Sequence, residues 1–284
     1  MNREEFQEEV KHYINQTFDE FSKYQMIVQD ILFEFDRVCR NNNLHYFLAY
    51  GSLLGAIRDN GQIPWDYDVD VLFPVTDLQK LIAALETDLQ NQYYYVYTNN
   101  HDSYPTSCLR VCMKDYSWKA IHVDVFFLVG CPNDKIERDV YIKKCMRTCS
   151  IRSAKYLSKH FPSQSNSLIN KLLNWCHRNF YWFVSNKCLN RKENSLFYKY
   201  PMTQSESYYT YGGIKLVYPK EIFVPKDMHI SGHNIMVPSQ YERFLTLRYG
   251  DWKSYLPIKE RFEEFYKMKN IVDDRQVQYQ EEKR

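Results

Sequence analysis

Through the first forty positions apolar residues recur near helical spacing: Phe6, Val10, Ile14, Phe18, Phe21, Ile27, Ile31, Phe35 and Val38. No Pro or Gly interrupts them, which predicts one long helix or two abutting ones from about Glu4 to Arg40. Asn41-Asn42-Asn43 then supplies a polar stop, because Asn tolerates the left-handed backbone that ends helices. His45 to Tyr50 is short, aromatic and apolar, and reads as a buried strand running into Gly51-Ser52. Leu53 to Arg58 predicts a short helical turn, and Asp59-Asn60-Gly61 a tight turn.

After Ile63-Pro64-Trp65 the pattern changes period. From Asp66 to Phe73 acidic and bulky residues alternate, the signature of a strand whose side chains point alternately to two faces. Asp66, Asp68 and Asp70 then project together. Thr76 to Leu89 predicts a helix capped by Thr76 or Asp77. Tyr93 to Tyr97 and Ser107 to Met113 predict strands, and Ile121 to Leu128 a stronger one, apolar except for His122 and Asp124. This alternation predicts an α+β fold with a mixed sheet and flanking helices.

From Asp134 to Leu189 the pattern is helical, basic in its first half (Lys143, Lys144, Arg147, Arg152, Lys155) and apolar and aromatic from Leu168 to Val184. Strands and turns follow, punctuated by Pro219, Pro225 and Pro238, then a helix from Ser239 to Tyr249. The expected organisation is an N-terminal helical region (1–43), a core (44–133), a helical insertion (134–205), a C-terminal segment packing on the core (206–271) and a charged, frayed tail (272–284).

A composition of 44% hydrophobic and 25% charged residues excludes a disordered chain. The formal net charge of +2 gives no field that argues for nucleic acid as a partner. Met1 to Glu9 carries four Glu and one Arg without an apolar run, and no stretch of about 18 apolar residues occurs, so the expectation is a cytoplasmic protein without a signal peptide or spanning helix. Cys108/Cys112 and Cys145/Cys149 lack the short spacing and His pair of a zinc site and read as buried thiols. The basic stretch 143–159 and the apolar run after it suit either a bundle packed on the core or peripheral contact with the inner face of a membrane.

Candidate chemistry concentrates between Tyr50 and Val71. A Gly-containing turn lets backbone N–H groups approach phosphate oxygens, and a nearby carboxylate pair offers the hard oxygen ligands that Mg2+ takes together with water and substrate phosphate. Gly51-Ser52 and Asp68-x-Asp70 meet both needs, and the strand at Asp124 could bring a third carboxylate. Three alternating acids are otherwise the solvated face of an edge strand, and Asp124 with His122 is otherwise a buried hydrogen-bonded pair.

Gly-Ser, an acidic pair on a strand and an acid on a later strand resemble the nucleotidyltransferase superfamily. The longer block YGSLLGAIRDNGQIPWDYDVDV (Tyr50 to Val71) resembles the signature of the LicD family, which includes the fukutin-related proteins. Val237-Pro238 through Tyr249-Gly250-Asp251-Trp252 resembles that family's second block. In the common family form the residue at Tyr67 is acidic; on a strand it would point away from Asp66, Asp68 and Asp70. The resemblance implies a nucleotidyltransferase-like core and Mg2+-dependent transfer (Mn2+ being the alternative ion) of a phospho-alcohol such as phosphocholine. The implied donor is a CDP-alcohol, and the acceptor a hydroxyl of a glycan or lipid-linked glycan of the cell surface, as in lipopolysaccharide, capsule or teichoic acid. It further implies Asp68, Asp70 and Asp124 as metal ligands, with Asp124 alternatively a general base. Asp66 would be a further ligand or a brace for the loop. Gly51-Ser52 would hold the transferred phosphate, and Arg58 would neutralise the leaving nucleotide. The competing reading is a glycosyltransferase that binds a nucleotide-sugar through Asp-x-Asp.

Overall fold

The computed structural model describes residues 3–101, 104–160, 184–212 and 216–282. The predicted first helix is continuous: α1 spans Arg3–Asn41. Its second half buries Val28, Ile31, Leu32, Phe35, Val38 and Cys39 in the core, a stripe at helical spacing that packs along the sheet. The Asn run ends it as expected, with Asn43 in the left-handed region at φ 52°.

The sheet is mixed. Strands β1 (Phe47–Leu48), β2 (Val69–Pro74), β5 (Val123–Gly130), β4 (Leu109–Met113) and β3 (Tyr93–Val96) lie side by side in that order. β2 and β5 run parallel, and the β1–β2, β4–β5 and β3–β4 pairs are antiparallel. β5 is long enough to share one edge between two partners. Its first half pairs with β4, and Phe127 to Gly130 pair with β6 (Ser207–Tyr211), which in turn pairs with β7 (Val217–Pro219). β8 (Pro225–Ile230) and β9 (His233–Pro238) form a separate hairpin whose two-residue turn, Ser231-Gly232, has positive φ at both positions, as such hairpins require.

The helices between the strands are α2 (Tyr50–Arg58), α3 (Leu78–Asp88), α4 (Lys135–His160) and α5 (Asn186–Phe197). α6 (Tyr241–Tyr249) and α7 (Ile258–Glu282) close the chain. The aromatic run after Leu168 lies outside the described residues, apart from Val184. No described helix is long and apolar enough to cross a membrane.

Four expectations need correction. The strand foreseen from His45 shrinks to two residues because the chain turns into α2 at Tyr50, where φ is 47°. The strand foreseen from Asp66 begins only at Val69. Before it, the side-chain amide of Gln25 donates to the carbonyls of Ile63 (3.0 Å) and Asp66 (2.7 Å), and that of Gln62 to the carbonyls of Asp66 (3.1 Å) and Asp68 (3.2 Å). Those carbonyls are thus satisfied outside any ladder, and the chain is free to curve. Asp77, foreseen as a cap, makes no capping bond and pairs with Lys80 at 2.8 Å. The foreseen frayed tail is helical to Glu282, anchored by Phe265 and Val272 in the core and by bonds from Arg275 and Gln276 to the loop before β5.

Candidate active site

The strand register assembles the site. Asp70 on β2 lies directly opposite Asp124 on β5, and Asp124 lies directly opposite Arg110 on β4. Opposed residues in a sheet project from the same face, so Asp70, Asp124 and Arg110 form a row across three strands. That face is the one α2 covers, since Phe126, two residues on from Asp124, packs edge-on against Tyr50 at 5.9 Å. The opposite face is sealed by aromatics, with Phe127 against Tyr97 and Phe197.

The turn from β1 into α2 brings a helix N-terminus alongside the acids. Ala49 N–H still bonds the Asp70 carbonyl at 2.9 Å, one residue before the helix starts. The positive φ of Tyr50 then makes the turn abrupt; such a conformation costs a non-glycine residue of order 1 kcal/mol and persists only where the surroundings enforce it. Gly51 follows beneath the Asp66 carboxylate, so close that a Cβ there would stand 2.5 Å from Asp66 Oδ2. Ser52 is buried, and its hydroxyl oxygen accepts the Asp70 backbone N–H at 2.9 Å, tying α2 to the strand that carries the acids.

Asp66, Asp68 and Asp70 are half-buried, so each keeps an accessible edge. Burial raises the pKa of all three, and mutual repulsion pushes Asp68 (chiefly from Asp66) and Asp70 (chiefly from Asp68) higher still. Asp124 behaves oppositely. Its burial, with 6% of its surface exposed, would raise its pKa, but Arg110 and then His122 outweigh this and hold it far below the usual carboxylate range. Arg110 Nε donates to Asp124 Oδ1 at 2.7 Å, and its Nη1 to the Trp118 carbonyl at 3.2 Å. The Cys108 thiol donates to the same Oδ1 at 3.4 Å. His122 Nε2 stands 3.3 Å from Asp124 Oδ2, and burial followed by Arg110 lowers its pKa, keeping the ring neutral.

Asp68, His122 and Asp124 offer ligand atoms that all lie within 4.8 Å of one another. Of the residues foreseen, the structure therefore brings together Asp66, Asp68, Asp70 and Asp124, with Gly51 and Ser52 beside them. Arg58 is engaged elsewhere: it pairs with Asp59 at 2.9 Å and stacks under Tyr255, 4.3 Å from its centroid, and the Tyr255 hydroxyl donates to Asp59 at 2.6 Å. Tyr67 does not point clear of the cluster. Arg275 donates to its hydroxyl at 3.4 Å, and burial, then Asp68, push its pKa up to about 12. Sequence reading missed Arg110, Gln25, Gln62 and Arg275, which act across strand pairs or from distant helices. Tyr249, foreseen as the end of the last predicted helix and in the family's second block but not as a site residue, lies near enough to Asp70 and Asp66 for both to oppose its ionisation, and burial pushes its pKa up to about 12. The foreseen thiols at Cys108, Cys112 and Cys145 are buried and unbridged, and Cys149 is half-buried.

Residues 43–157, which span the sheet core and most of α4, match the family model described as LicD/FKTN/FKRP, nucleotidyltransferase domain. The chain is also similar to the lipopolysaccharide cholinephosphotransferase LicD of Haemophilus influenzae, with 24% identity over 254 residues that cover 84% of this chain and 92% of that protein. The matched region contains β1, α2 and the acid row itself, so the likeness to LicD proteins falls on the residues that build the site.

Proposed function

We propose that this protein transfers a phospho-alcohol, phosphocholine or a close relative, from a CDP-activated donor to a hydroxyl of a cell-surface glycan precursor, in a reaction that needs Mg2+. The observation that carries the reading is the acid row set against the first turn of α2. Three carboxylates crowd one opening; burial raises the pKa of all three, and Asp66 pushes Asp68, and Asp68 pushes Asp70, higher still. The cation beside them, Arg110, directs its shortest bond to Asp124. Such a set suits a divalent cation, which removes the repulsion that otherwise protonates the acids. Asp68, Asp70 and Asp124 would hold it, and when bound it would neutralise charge on the donor pyrophosphate and on the leaving oxygen.

The remaining roles fall to the chain's own groups. Backbone N–H groups at the start of α2, around Gly51 and Ser52, are aimed where a phosphate would lie, since the first turn of a helix leaves its donors unpaired and carries partial positive charge. Ser52 still has its O–H proton to donate, because its oxygen is what receives Asp70 N–H. Asp66, above Gly51, braces the turn. Asp124 is a weak base so long as Arg110 holds it ionised, which favours a ligand role over proton abstraction from the acceptor. Arg58 would reach a nucleotide only by releasing Asp59 and Tyr255.

Thermal shift tests the proposal: the protein with Mg2+ against CDP-choline, CDP-glycerol, CDP-ribitol and UDP-sugars, repeated with Asp68→Asn. Stabilisation by one CDP-alcohol that needs Mg2+ and vanishes in the variant is expected, of about 3 kcal/mol at a hundredfold excess over Kd. A response to UDP-sugars alone overturns it in favour of the glycosyltransferase.

A further inference from the structure

We propose that His122 supplies a nitrogen ligand to the divalent-cation site beside Asp68 and Asp124, and that this nitrogen biases the site toward Mn2+ over Mg2+. The inference rests on the reading of the acid cluster as a metal site and adds a residue that a set of three carboxylates does not contain. Its basis is geometric. An ion with bonds of about 2.1 Å places its adjacent ligands about 3 Å apart and its opposed ones about 4.2 Å apart. The ligand atoms of Asp68, His122 and Asp124 are all within 4.8 Å of one another, and His122 Nε2 is 3.3 Å from Asp124 Oδ2.

The ring is not satisfied in the way a purely structural histidine is. His122 is 1% exposed, and its Nδ1 has no hydrogen-bond partner. A buried ring nitrogen without a partner is costly, and imidazoles held purely for structure normally satisfy both nitrogens. Arg110 and Cys108 converge chiefly on Asp124 Oδ1, leaving Oδ2 turned toward His122. The register explains why the three groups meet: His122 lies two residues before Asp124, on the same face at the start of β5, and Asp68 lies two before Asp70, at the start of the parallel neighbour β2. Imidazole suits Zn2+, Fe2+ and Ni2+ best; Mn2+, although it takes oxygen ligands as Mg2+ does, is a transition ion and accepts a nitrogen more readily, so one nitrogen shifts preference toward Mn2+ without excluding Mg2+.

The test is pulsed EPR on the wild-type protein loaded with Mn2+, comparing natural-abundance protein with protein in which histidine carries 15N. Directly bound nitrogen should appear as 14N modulation of the Mn2+ echo that changes to the 15N pattern on labelling. Metal titrations of His122→Gln, which keeps an oxygen donor in place, should then show Mn2+ affinity falling about tenfold or more while Mg2+ affinity moves less than about threefold. Mn2+ bound at the acid cluster, displaced by Asp68→Asn but without nitrogen modulation, would overturn the role of His122 and leave the metal site standing. Absence of Mn2+ and Mg2+ binding altogether would overturn both. Because the labelling experiment uses unaltered protein, a variant that fails to fold does not blunt it.

Discussion

Single carboxylates in this site carry opposed demands, and their pKa directions expose the conflict. Asp68 and Asp70 are raised by burial and then by a neighbouring carboxylate, Asp66 for Asp68 and Asp68 for Asp70. Without metal, the folded chain therefore holds protons that the unfolded chain has released above its ordinary carboxylate pKa of about 4. Folding stability from these groups is complete below that value and is lost as pH rises toward the raised folded-state pKa values. A bound divalent cation abolishes the loss, so the difference in melting temperature with and without Mn2+ should widen as pH rises through that window. A flat difference across it, measured by calorimetry in EDTA and in excess Mn2+, would contradict the shifts. The same conflict predicts that Asp68→Asn, by relieving repulsion, makes the metal-free protein more stable by about 0.5–2 kcal/mol while removing the gain from metal. At Gly51 the constraint is steric. A methyl there meets the Asp66 carboxylate at 2.5 Å, so Gly51→Ala should cost about 1–3 kcal/mol in urea melts and weaken metal binding by displacing Asp66. The acids and the Gly were legible in the sequence because they lie within twenty residues of one another. His122 was legible as a partner of Asp124 on the same strand, and the two stand 3.3 Å apart; Arg110 was not, because its role depends on which strands become neighbours.

Among the elements, three helices that the sequence left unassigned to the site brace its surroundings. α7 reads as a charged tail because most of its residues are polar; Phe265 and Val272 are the few positions it buries deeply. Its Arg275 donates to the Lys119 carbonyl at 2.7 Å, and its Gln276 accepts from Ser117 N–H at 3.0 Å. Between these two contacts lies the Trp118 carbonyl that receives Arg110. Arg275→Ala should therefore speed hydrogen exchange in 115–120 and loosen Arg110, and unchanged exchange there would remove α7 from the account. On the other side, α4 and α5 are joined by a buried ion pair. Arg152 Nη2 and Glu193 Oε2 are 2.5 Å apart, and the two residues are 3% and 2% exposed. Ser107, the neighbour of Cys108, donates to Glu193 at 2.5 Å. Removing one partner of such a pair strands the other charge, so Glu193→Gln should cost about 3–5 kcal/mol, read from urea unfolding. A cost below about 1 kcal/mol would show that the charge on Glu193 contributes little.

For the molecule as a whole, strand order is what turns a local motif into a site. β2 and β5 are some fifty residues apart in the chain and become parallel neighbours, with Asp70 opposite Asp124 and Arg110 one strand further on. Alternation in the sequence predicted a mixed sheet but not that register, because period-two patterning marks faces and not partners. It also misplaced the start of β2, since the carbonyls of the preceding loop are satisfied by Gln25 and Gln62, one of them from α1. The aromatic side chains, conspicuous in composition, go largely to the sealed face and the core around Phe197, Tyr211 and Phe244. The central claim is that this fold presents its acid row to the pyrophosphate of a CDP-alcohol. The most direct measurement is 31P NMR of CDP-choline incubated with the protein, Mg2+ and a glycan fraction lacking phosphocholine, with Asp70→Asn as control. The account predicts loss of the pyrophosphate signals, formation of CMP and growth of a phosphodiester signal on the glycan, all abolished in the variant. CDP-choline and the other CDP-alcohols left intact while a UDP-sugar is consumed under the same conditions would contradict it.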